Sequence, residues 1–293
     1  MNVLSLFDGI SCGQIALGKV GIEVGNYFAS EIDIHSISIT QKNYPGTAQI
    51  GDITKIGEQD LLNLGDIGLV IGGSPCQNLS RAVINNIQHN QGLQGEKSKL
   101  FYDYARVINL LKPKYFLFEN VESMKNDDRE IITETLGVEP IMINSKLVSA
   151  QERKRYYWTN IPKIKQPKDK NLFLRDIVEN EVDEKFWYKQ DFTHHGKGKR
   201  PAATLHLNGH DILKRVYGLD QKAPTLTACR GGNLQKKVFQ NDKCRKLTPL
   251  EYERLQTVPE GYTEGVAVTH RYNMLGDGWT VDVIAHILNG ISN

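Results

Sequence analysis

Cysteine is scarce in this chain, and its four cysteines lie far apart in the sequence. Cys12, Cys76, Cys229 and Cys244 form none of the close pairs that zinc sites and small disulfide scaffolds use. Among the eight histidines, His194 and His195 and the pair His206 and His210 lie in a polar, Gly-rich region without carboxylate or thiolate companions at the spacing of metal ligands. We therefore expect no metal site and no disulfide framework.

Long apolar runs are absent, and no basic leader precedes the first apolar run. No uninterrupted apolar stretch approaches the length that spans a bilayer. These absences predict a cytoplasmic protein without a membrane partner. With 293 residues, of which 40% are hydrophobic, the chain is long enough for one large α/β domain and a small second domain.

The net charge is small, but it is unevenly distributed along the chain. The segment 163–245 carries 18 Lys and Arg against 10 Asp and Glu, which leaves the rest of the chain acidic. A basic segment beside an acidic body is typical of a surface that meets phosphates. A lysine-rich, solvated loop region is the alternative explanation.

The first half of the chain alternates short apolar runs with helical patterns. The predicted strands are 3–7, 24–29, 67–71, 115–118 and 140–143. Repeated strands with crossover helices predict an α/β fold with a doubly wound, mostly parallel, Rossmann-like sheet. Ligands of such sheets bind at the loops that follow the carboxyl ends of the strands.

This alternation stops after Pro162 and a helical pattern resumes at Arg245. We therefore predict a main domain from 1–162 plus 245–293 and a small, irregular, β-containing domain over 163–244. The resumed helix has a strong start signal, because Thr248, Pro249 and Glu251 match an N-cap, a first-turn proline and a capping box. A second amphipathic helix is predicted over 281–288.

The segment SLFDGISCG, Ser5 to Gly13, leads from a strand through a glycine-bearing turn into a helix. Glycines let a ligand approach the backbone, although a tight turn needs them with or without a ligand. Glu31 ends the second predicted strand, where a carboxylate can accept hydrogen bonds from ribose hydroxyls, and Asp52 follows the next apolar run. Together these strand ends favour an adenosine-containing cofactor.

A cysteine stands in the loop after the fourth predicted strand, in GGSPCQNLS. Free cysteines are most often small buried hydrophobes, but the Gly, Ser, Pro and Gln around Cys76 are typical of a loop. They favour an accessible thiolate that acts as a nucleophile. The polar stretch from Asn78 to Lys99 is typical of a lid over a site.

Two later segments carry charged residues at predicted strands. In FLFENVESM, Glu119 ends an apolar strand and is expected to face the same crevice as Cys76; a charge at a helix N-terminus is the alternative. In VSAQERKRYYW, Arg153 and Arg155 alternate on one face of a predicted strand, a spacing that suits a grip on phosphate or a base. An exposed edge strand is the alternative there.

Together these segments resemble the motif series of the DNA cytosine-5 methyltransferases, in order and over nearly the whole chain. The resemblance rests on SPCQ, FENV and QERKR, followed by RKLTPLEYERLQTVPEGY, and VSAQERKRYYW and MLGDGWTVDVI are similar to the de novo type. The compact chain is more similar to the bacterial or phage enzymes. The resemblance implies S-adenosylmethionine as cofactor, S-adenosylhomocysteine as product and a monomer acting on double-stranded DNA, alone or with a restriction enzyme.

The resemblance also implies a mechanism. The Cys76 thiolate adds to C6 of a cytosine flipped out of the duplex, and Glu119 hydrogen-bonds at N3 and the exocyclic amine. Arg153 and Arg155 match positions that hold the base and its backbone. The matching cofactor positions are Phe7, Gly9, Ile10, Gly13, Glu31, Ile32, Asp52, Ile53, Pro75, Leu100, Asp277 and Trp279. The candidate DNA contacts are Gln77, Ser80, Thr225, Arg230, Lys236 and Lys237.

The chain departs from the family pattern near its carboxyl terminus, where Gly276-Asp277-Gly278 replaces the usual Gly-Asn-Ser. Three other functions are weighed against DNA methylation. A transfer-RNA cytosine methyltransferase shares the core, but its Cys-Phe-Thr signature is not found here. A nicotinamide-dependent oxidoreductase explains the glycine turn but not Cys76 with Glu119, and the same two residues disfavour a catalytically silent DNA-binding module.

Overall fold

The computed structural model describes residues 1–75, 79, 91–96, 98–196, 198–229 and 233–291. The chain forms two compact units. The first unit comprises Met1–Ile143, Lys154–Gln166 and Ala285–Asn293, and the second comprises Asn144–Arg153 and Pro167–Ile284. The predicted division into a main domain and a domain over 163–244 stays a prediction.

A seven-stranded sheet forms the centre of the first unit, within the described part of the chain. Its strands are β1 (Asn2–Leu6), β2 (Tyr27–Ser30), β3 (Ala48–Gln49), β4 (Ile67–Gly72), β5 (Tyr115–Val121), β6 (Ile141–Asn144) and β7 (Lys154–Thr159). The spatial order is β3-β2-β1-β4-β5-β7-β6. Neighbours from β3 to β5 are parallel, whereas β7 is antiparallel to β5. The predicted α/β fold with a mostly parallel sheet is confirmed.

Helices cover this sheet and bury its apolar side chains. They are α1 (Cys12–Lys19), α2 (Ile34–Asn43), α3 (Glu58–Leu62), α4 (Leu100–Leu111) and α5 (Asn126–Leu136). Phe118 of β5 lies at the centre of an aromatic cluster, with its ring centroid 4.8 Å from that of Tyr104 and 5.8 Å from that of Trp158. All three side chains are fully buried, so they pack α4 against β5 and its neighbour β7 in the sheet.

Strand β5 extends further than its apolar sequence predicts. Glu119 and Asn120 lie inside the strand, opposite Tyr157 and Tyr156 of β7, whereas the sequence suggested that Glu119 ends it. The antiparallel partner β7 supplies the hydrogen bonds that continue the strand past its apolar core. This pairing joins residues that are distant in the sequence, so the local apolar pattern could not predict the full length of the strand.

The second unit contains a smaller five-stranded sheet in the described part of the chain. Its strands are β8 (Phe192–His194), β9 (Ala203–Leu205), β10 (Arg215–Gly218), β11 (Lys237–Gln240) and β12 (Lys243–Lys246), in the order β12-β11-β10-β9-β8. The helices that follow are α6 (Pro249–Leu255), α7 (Val268–Asp277) and α8 (Val281–Leu288), and α8 continues into the first unit.

Two helix predictions for this region are confirmed. The Thr248 hydroxyl accepts from the Glu251 amide at 3.2 Å and the Glu251 carboxylate accepts from the Thr248 amide at 2.7 Å, which is the predicted capping box of α6. Helix α8 covers the predicted range 281–288. Across the described residues, every helix is too short or too polar to cross a bilayer.

Candidate active site

The carboxyl ends of three parallel strands, β1, β2 and β4, form one row at an edge of the main sheet, beside Phe118 of β5. Leu6 of β1 is in register with Ser30 of β2 and with Gly72 of β4, and Gly72 is in register with Phe118 of β5. The segments that follow β1, β2 and β4 therefore begin side by side, next to the last residues of β5, which continues to Val121. This edge is where open α/β sheets bind ligands.

The turn between β1 and α1 has an unusual backbone conformation. Phe7, Gly9 and Ser11 all have left-handed φ values, of 57°, 59° and 55°. For the two non-glycine residues this conformation costs on the order of 1 kcal/mol each, so it persists only where the surroundings enforce it. A Cβ at Gly9 would contact nothing within 4 Å, so the glycine is needed for its φ and leaves open space beside the turn.

Glu31 directly follows β2 and fixes this turn from the side. Its carboxylate accepts from the backbone amides of Gly9 at 2.8 Å, Ile32 at 2.7 Å and Asp33 at 2.9 Å. A carboxylate has about four acceptor positions, so these bonds orient it and still leave capacity for a ligand hydroxyl. The next side chain, Ile32, is apolar and 75% exposed.

Asp52 follows β3 and caps a short 3₁₀ helix, Ile53–Lys55. It accepts from the Thr54 hydroxyl at 2.7 Å and from the Thr54 amide at 3.0 Å, and these hydrogen bonds lower the pKa of Asp52 below its usual value. Its carboxylate is therefore ionised and fixed at the same edge of the sheet as Glu31.

Three of the predicted cofactor residues lie in the interior. Ile10 and Ile53 are 1% and 2% exposed, and a Cβ at Gly13 would lie 2.3 Å from Cδ1 of Ile71. These three residues therefore pack into the interior of the unit, and a contact with a ligand would come from their backbone atoms. Pro75 follows β4 and Leu100 begins α4, and both are half-buried.

The segment after β4 is held by Asn120. Its amide nitrogen donates to the carbonyl oxygen and to the hydroxyl of Ser74, at 3.2 Å in each case, and Asn120 is 1% exposed. Sequence reasoning included Asn120 in the FENV motif but gave it no role. Cys76, Gln77 and Ser80 lie outside the described residues, as does most of the predicted lid.

Glu119 and Arg155 form an ion pair within the first unit. Arg155 Nε lies 2.8 Å from Glu119 Oε1, and the two side chains are 13% and 10% exposed. The register of β7 on β5 brings them together, because Arg155 is opposite Val121, two residues beyond Glu119 on the same side of β5. At this depth the pair is only weakly screened by water.

Arg153 is placed differently from its prediction. Strand β7 begins at Lys154, so the two arginines do not alternate along one strand face as expected. Arg153 lies in the second unit, is 4% exposed, and donates to the carbonyls of Leu226 at 2.9 Å, Gly276 at 3.3 Å and Gly278 at 3.0 Å. These bonds join three segments of that unit, and a catalytic role for Arg153 stays a prediction.

The remaining predicted cofactor residues, Asp277 and Trp279, also lie in the second unit. Asp277 is the exposed last residue of α7, and Trp279 is half-buried just beyond it. The preceding residue is Gly276, and the close approach of another segment explains why it is glycine. A Cβ there would lie 2.2 Å from the backbone carbon of Thr227. The cofactor roles of Asp277 and Trp279 stay predictions.

The candidate DNA contacts in the second unit have different surroundings. Thr225 donates to the carbonyl of Glu152 at 2.7 Å, and the half-buried Lys236 donates to Thr227 at 3.3 Å. Arg230 lies outside the described residues. Thr225, Arg230 and Lys236 stay predictions as DNA contacts.

Lys237 does not have the exposed position that a phosphate contact needs. It is 2% exposed, its ammonium donates to the carbonyls of Asn233 at 2.7 Å and Gln235 at 2.9 Å, and burial lowers the pKa of Lys237 to about 8. These carbonyls satisfy the ammonium inside the unit. The structure therefore disagrees with the prediction that Lys237 contacts DNA. The neighbouring Lys236 is the more exposed of the two side chains.

Asp8 is a residue of this site that sequence reasoning missed. It is 9% exposed and accepts from the Tyr27 hydroxyl at 2.8 Å and from the Ser11 hydroxyl, and burial raises the pKa of Asp8 to about 6. An acid in the middle of a glycine turn was the available signal. Among the described residues, no group of three or more His, Cys, Asp and Glu is arranged to hold a metal ion.

Comparison with known proteins gives a consistent result. The model of the family C-5 cytosine-specific DNA methylase matches residues 1–293. Type II methyltransferase M.HhaI of Haemophilus parahaemolyticus is 26% identical over 100% of this chain and 94% of its own length. Type II methyltransferase M1.ScrFI of Lactococcus lactis subsp. cremoris is 27% identical over 97% of this chain and 76% of its own length. The structure of the methyltransferase EhMeth of Entamoeba histolytica shares the fold, with a TM-score of 0.75, 17% identity and coverage of 99% and 97% of the two chains.

Proposed function

The chain belongs to the C-5 cytosine-specific DNA methylase family, and from this membership we propose which of its residues methylate cytosine in DNA with S-adenosylmethionine. The observation that carries the assignment is the buried Glu119–Arg155 pair on β5 and β7. It lies at the same edge of the sheet as the Ser74 segment, which leads into Cys76. A nucleophile and a hydrogen-bonding carboxylate are thus supplied by neighbouring strands.

We propose Cys76 as the nucleophile. C5 of cytosine is too weakly nucleophilic to take a methyl group unaided, so its ring must first be activated. The thiolate forms a bond to C6, and the electron pair of the C5–C6 double bond moves towards C5 and the N3 side of the ring. After C5 is methylated, the C5 proton leaves to water or hydroxide, the double bond re-forms and the sulfur–C6 bond breaks.

Glu119 stabilises this electron shift through hydrogen bonds at N3 and the exocyclic amine. Its position is fixed by Arg155, because the 2.8 Å contact from Nε to Oε1 holds one carboxylate oxygen in place. Arg155 is therefore a positioning residue for Glu119 in this proposal, in addition to its predicted contact with the base.

The turn after β1 and the residues after β2 and β3 suit the cofactor. S-adenosylmethionine supplies an electrophilic methyl group on a cationic sulfur. We assign the ribose hydroxyls to Glu31, whose carboxylate retains acceptor capacity, and an apolar contact with the base to the exposed Ile32. The open space beside Gly9 lets a ligand approach the backbone of the turn. Asp52 adds a second fixed carboxylate.

We propose that the substrate is duplex DNA, from which the target cytosine is flipped out, and that residues 163–244 of a monomeric enzyme recognise its sequence context. The basic balance of 18 Lys and Arg against 10 Asp and Glu over 163–245 supports this assignment. Affinity for DNA is then expected to fall steeply as salt concentration rises. An affinity that does not change with salt would contradict the role of this basic segment.

The test is a methylation assay with methyl-labelled S-adenosylmethionine, offered either mixed-sequence duplex DNA or transfer RNA. Label is expected as 5-methylcytosine in DNA, absent with Cys76→Ala and retained with Cys244→Ala, a buried cysteine of the second unit. Label confined to RNA would favour the transfer-RNA methyltransferase alternative. Full activity of Cys76→Ala would overturn the nucleophile assignment.

A trapping experiment separates the covalent step from loss of folding. Duplex DNA with 5-fluorocytosine at the target cannot lose fluorine from C5 as a cation, so the sulfur–C6 bond should persist. Wild-type protein is expected to migrate with the DNA under denaturing conditions, and Cys76→Ala is not. A trapped complex with Cys76→Ala would move the nucleophile to another residue.

A further inference from the structure

We propose that Asp8 is a positioning residue for the cofactor: its ionised carboxylate holds the turn after β1 in the shape that binds S-adenosylmethionine, and protonation weakens that binding. The inference rests on the cofactor role proposed above for this turn. It concerns a buried acid that neither the catalytic chemistry nor the ribose contact uses.

Asp8 is connected to strand β2 and to the start of α1 by hydrogen bonds of its side chain and its backbone. Its side chain accepts from the Tyr27 hydroxyl of β2 at 2.8 Å and from the Ser11 hydroxyl at the start of α1. Its backbone amide donates to the carbonyl of Ser30 at 3.1 Å, and its carbonyl accepts from the Ser11 amide at 3.1 Å. Both ends of the turn are therefore fixed by this one residue.

The direction of the Ser11 hydrogen bond requires an acceptor at Asp8. The Gln14 amide nitrogen donates to the Ser11 hydroxyl at 3.2 Å, so the hydroxyl proton is left to donate to the carboxylate. Tyr27 donates to the other carboxylate oxygen. Protonation removes the charge that strengthens both hydrogen bonds and places an O–H donor beside hydroxyls that already donate, so it is expected to weaken the hold on one end of the turn.

The conformation of Ser11 makes this contact consequential. Ser11 is fully buried with a left-handed φ of 55°. The Thr40 hydroxyl of α2 lies 3.3 Å from the Ser11 hydroxyl and 3.3 Å from the Gly9 carbonyl oxygen, and can donate to either. A strained residue keeps its conformation only while its surroundings enforce it. Loss of the Asp8 acceptor is therefore expected to relax the turn beside Gly9, which is the segment assigned to the cofactor.

The charges around Asp8 decide the pH range of this effect. Burial raises the pKa of Asp8 to about 6, the negative charge of Glu31 acts in the same direction, and the hydroxyls of Ser11, Ser5 and Tyr27 act against both. The groups that face Asp8 from β1, β2 and α1 are thus neutral hydroxyls and one further acid. Asp8 is ionised at neutral pH and becomes protonated in mild acid.

The test compares wild-type protein with Asp8→Asn, Tyr27→Phe and Asp60→Asn, the last an exposed acid of α3 in the same unit. Calorimetry measures the Kd of S-adenosylhomocysteine from pH 5 to pH 8. Linkage to one proton weakens binding by up to about tenfold per pH unit below the pKa. Wild type and Asp60→Asn are expected to follow this slope, whereas Asp8→Asn binds about tenfold more weakly at pH 8 and shows no slope.

Tyr27→Phe leaves the carboxylate in place but removes one of its donors. It is therefore expected to move the midpoint of the pH dependence upward while binding at pH 8 is retained. Steady-state kinetics give a second measure: Asp8→Asn should raise KM for S-adenosylmethionine about tenfold, with kcat at saturation changed less than twofold.

Three results would overturn the role of Asp8: identical Kd values for wild type and Asp8→Asn at every pH, an unchanged midpoint for Tyr27→Phe, or a loss of binding by Asp8→Asn that parallels a lower unfolding temperature without ligand. The last would show a merely structural residue. Failure of wild-type protein to bind S-adenosylhomocysteine at any pH would instead contradict the proposed cofactor site itself.

Discussion

The amide nitrogen of Asn120 donates to both the carbonyl oxygen and the hydroxyl of Ser74, two residues before Cys76 in the sequence. Asn120 lies inside β5, next to Glu119, so one strand carries this carboxylate and also holds the segment that leads into the proposed nucleophile. We therefore expect Asn120 to help position the segment before the proposed nucleophile relative to Glu119.

Asn120→Ala is expected to lower kcat by about 100-fold, because a misplacement of about 1 Å at the reacting groups has an effect of that size. Binding of S-adenosylhomocysteine should change much less than kcat, since Asn120 holds the Ser74 segment, from which only Pro75 is a predicted cofactor contact. The matched control is Asn126→Ala, at the exposed start of α5. An unchanged kcat in a folded Asn120→Ala protein would contradict the positioning role.

Much of this site could be predicted because its signals are local. The strand ends that carry Glu31 and Asp52, the capping box of Thr248 and the helix over 281–288 all depend on residues within one turn or one strand of each other. Such patterns are readable from sequence without knowledge of the partner segments.

The errors concern residues whose surroundings come from distant parts of the chain. Glu119 lies inside its strand because β7 pairs with that strand. Arg153 is buried and donates to carbonyl oxygens of residues more than 70 positions later in the sequence. The buried ammonium of Lys237 donates to backbone carbonyl oxygens, although its sequence neighbourhood is that of a basic surface patch. Charge in a sequence predicts exposure only on average, and paired or carbonyl-bound cations are the exception.

Arg155→Gln is expected to reduce kcat/KM for DNA by about 100-fold, because Glu119 would lose the cation that fixes one of its oxygens in a largely buried position. Arg155→Lys should restore part of the activity, since it retains the charge but not the planar geometry. Methylation kinetics with saturating S-adenosylmethionine measure the effect.

The control for this series is Lys154→Gln, an exposed cation one residue earlier on β7. It should change kcat/KM less than twofold at constant salt. If both substitutions reduce activity equally, the effect belongs to the general charge of the strand and not to the pair with Glu119.

Gly276→Ala is expected to destabilise the second unit. The added Cβ would lie 2.2 Å from the Thr227 carbon and 2.3 Å from the Thr227 oxygen, which are backbone atoms that cannot rotate away. Overpacking of this kind costs about 1–3 kcal/mol of unfolding free energy. Urea denaturation measures it.

Gly18→Ala provides a control of opposite sign. Gly18 lies in α1, and a Cβ there would meet nothing within 4 Å. The change should raise the unfolding free energy by about 0.5–1 kcal/mol, since alanine favours the helix. If both glycine substitutions changed stability alike, the close approach of Thr227 would not be the reason for glycine at 276.

The raised pKa of Asp8 also predicts how the unfolding free energy of the protein without ligand depends on pH. Its pKa is about 6 in the folded protein against an ordinary value of 3.8, so between these values the folded state binds more protons than the unfolded state. The contribution of Asp8 to stability is therefore fully present below about pH 3.8 and is lost as the pH rises through about 6. With 1.36 kcal/mol for each pH unit of difference, the total is about 3 kcal/mol.

Asp8→Asn removes this proton linkage, so the unfolding free energy of the variant minus that of wild type should increase as the pH rises from 4 to 6.5 and then become constant. Chemical denaturation at a series of pH values gives the difference directly, and titrations common to both proteins cancel in it. A constant difference over the whole range would mean that Asp8 has the same pKa in the folded and unfolded states. A difference that decreases with pH would mean that the hydrogen bonds to the ionised carboxylate stabilise it by more than its burial destabilises it. The negative charge of Asp8 would then stabilise the folded protein at neutral pH instead of destabilising it.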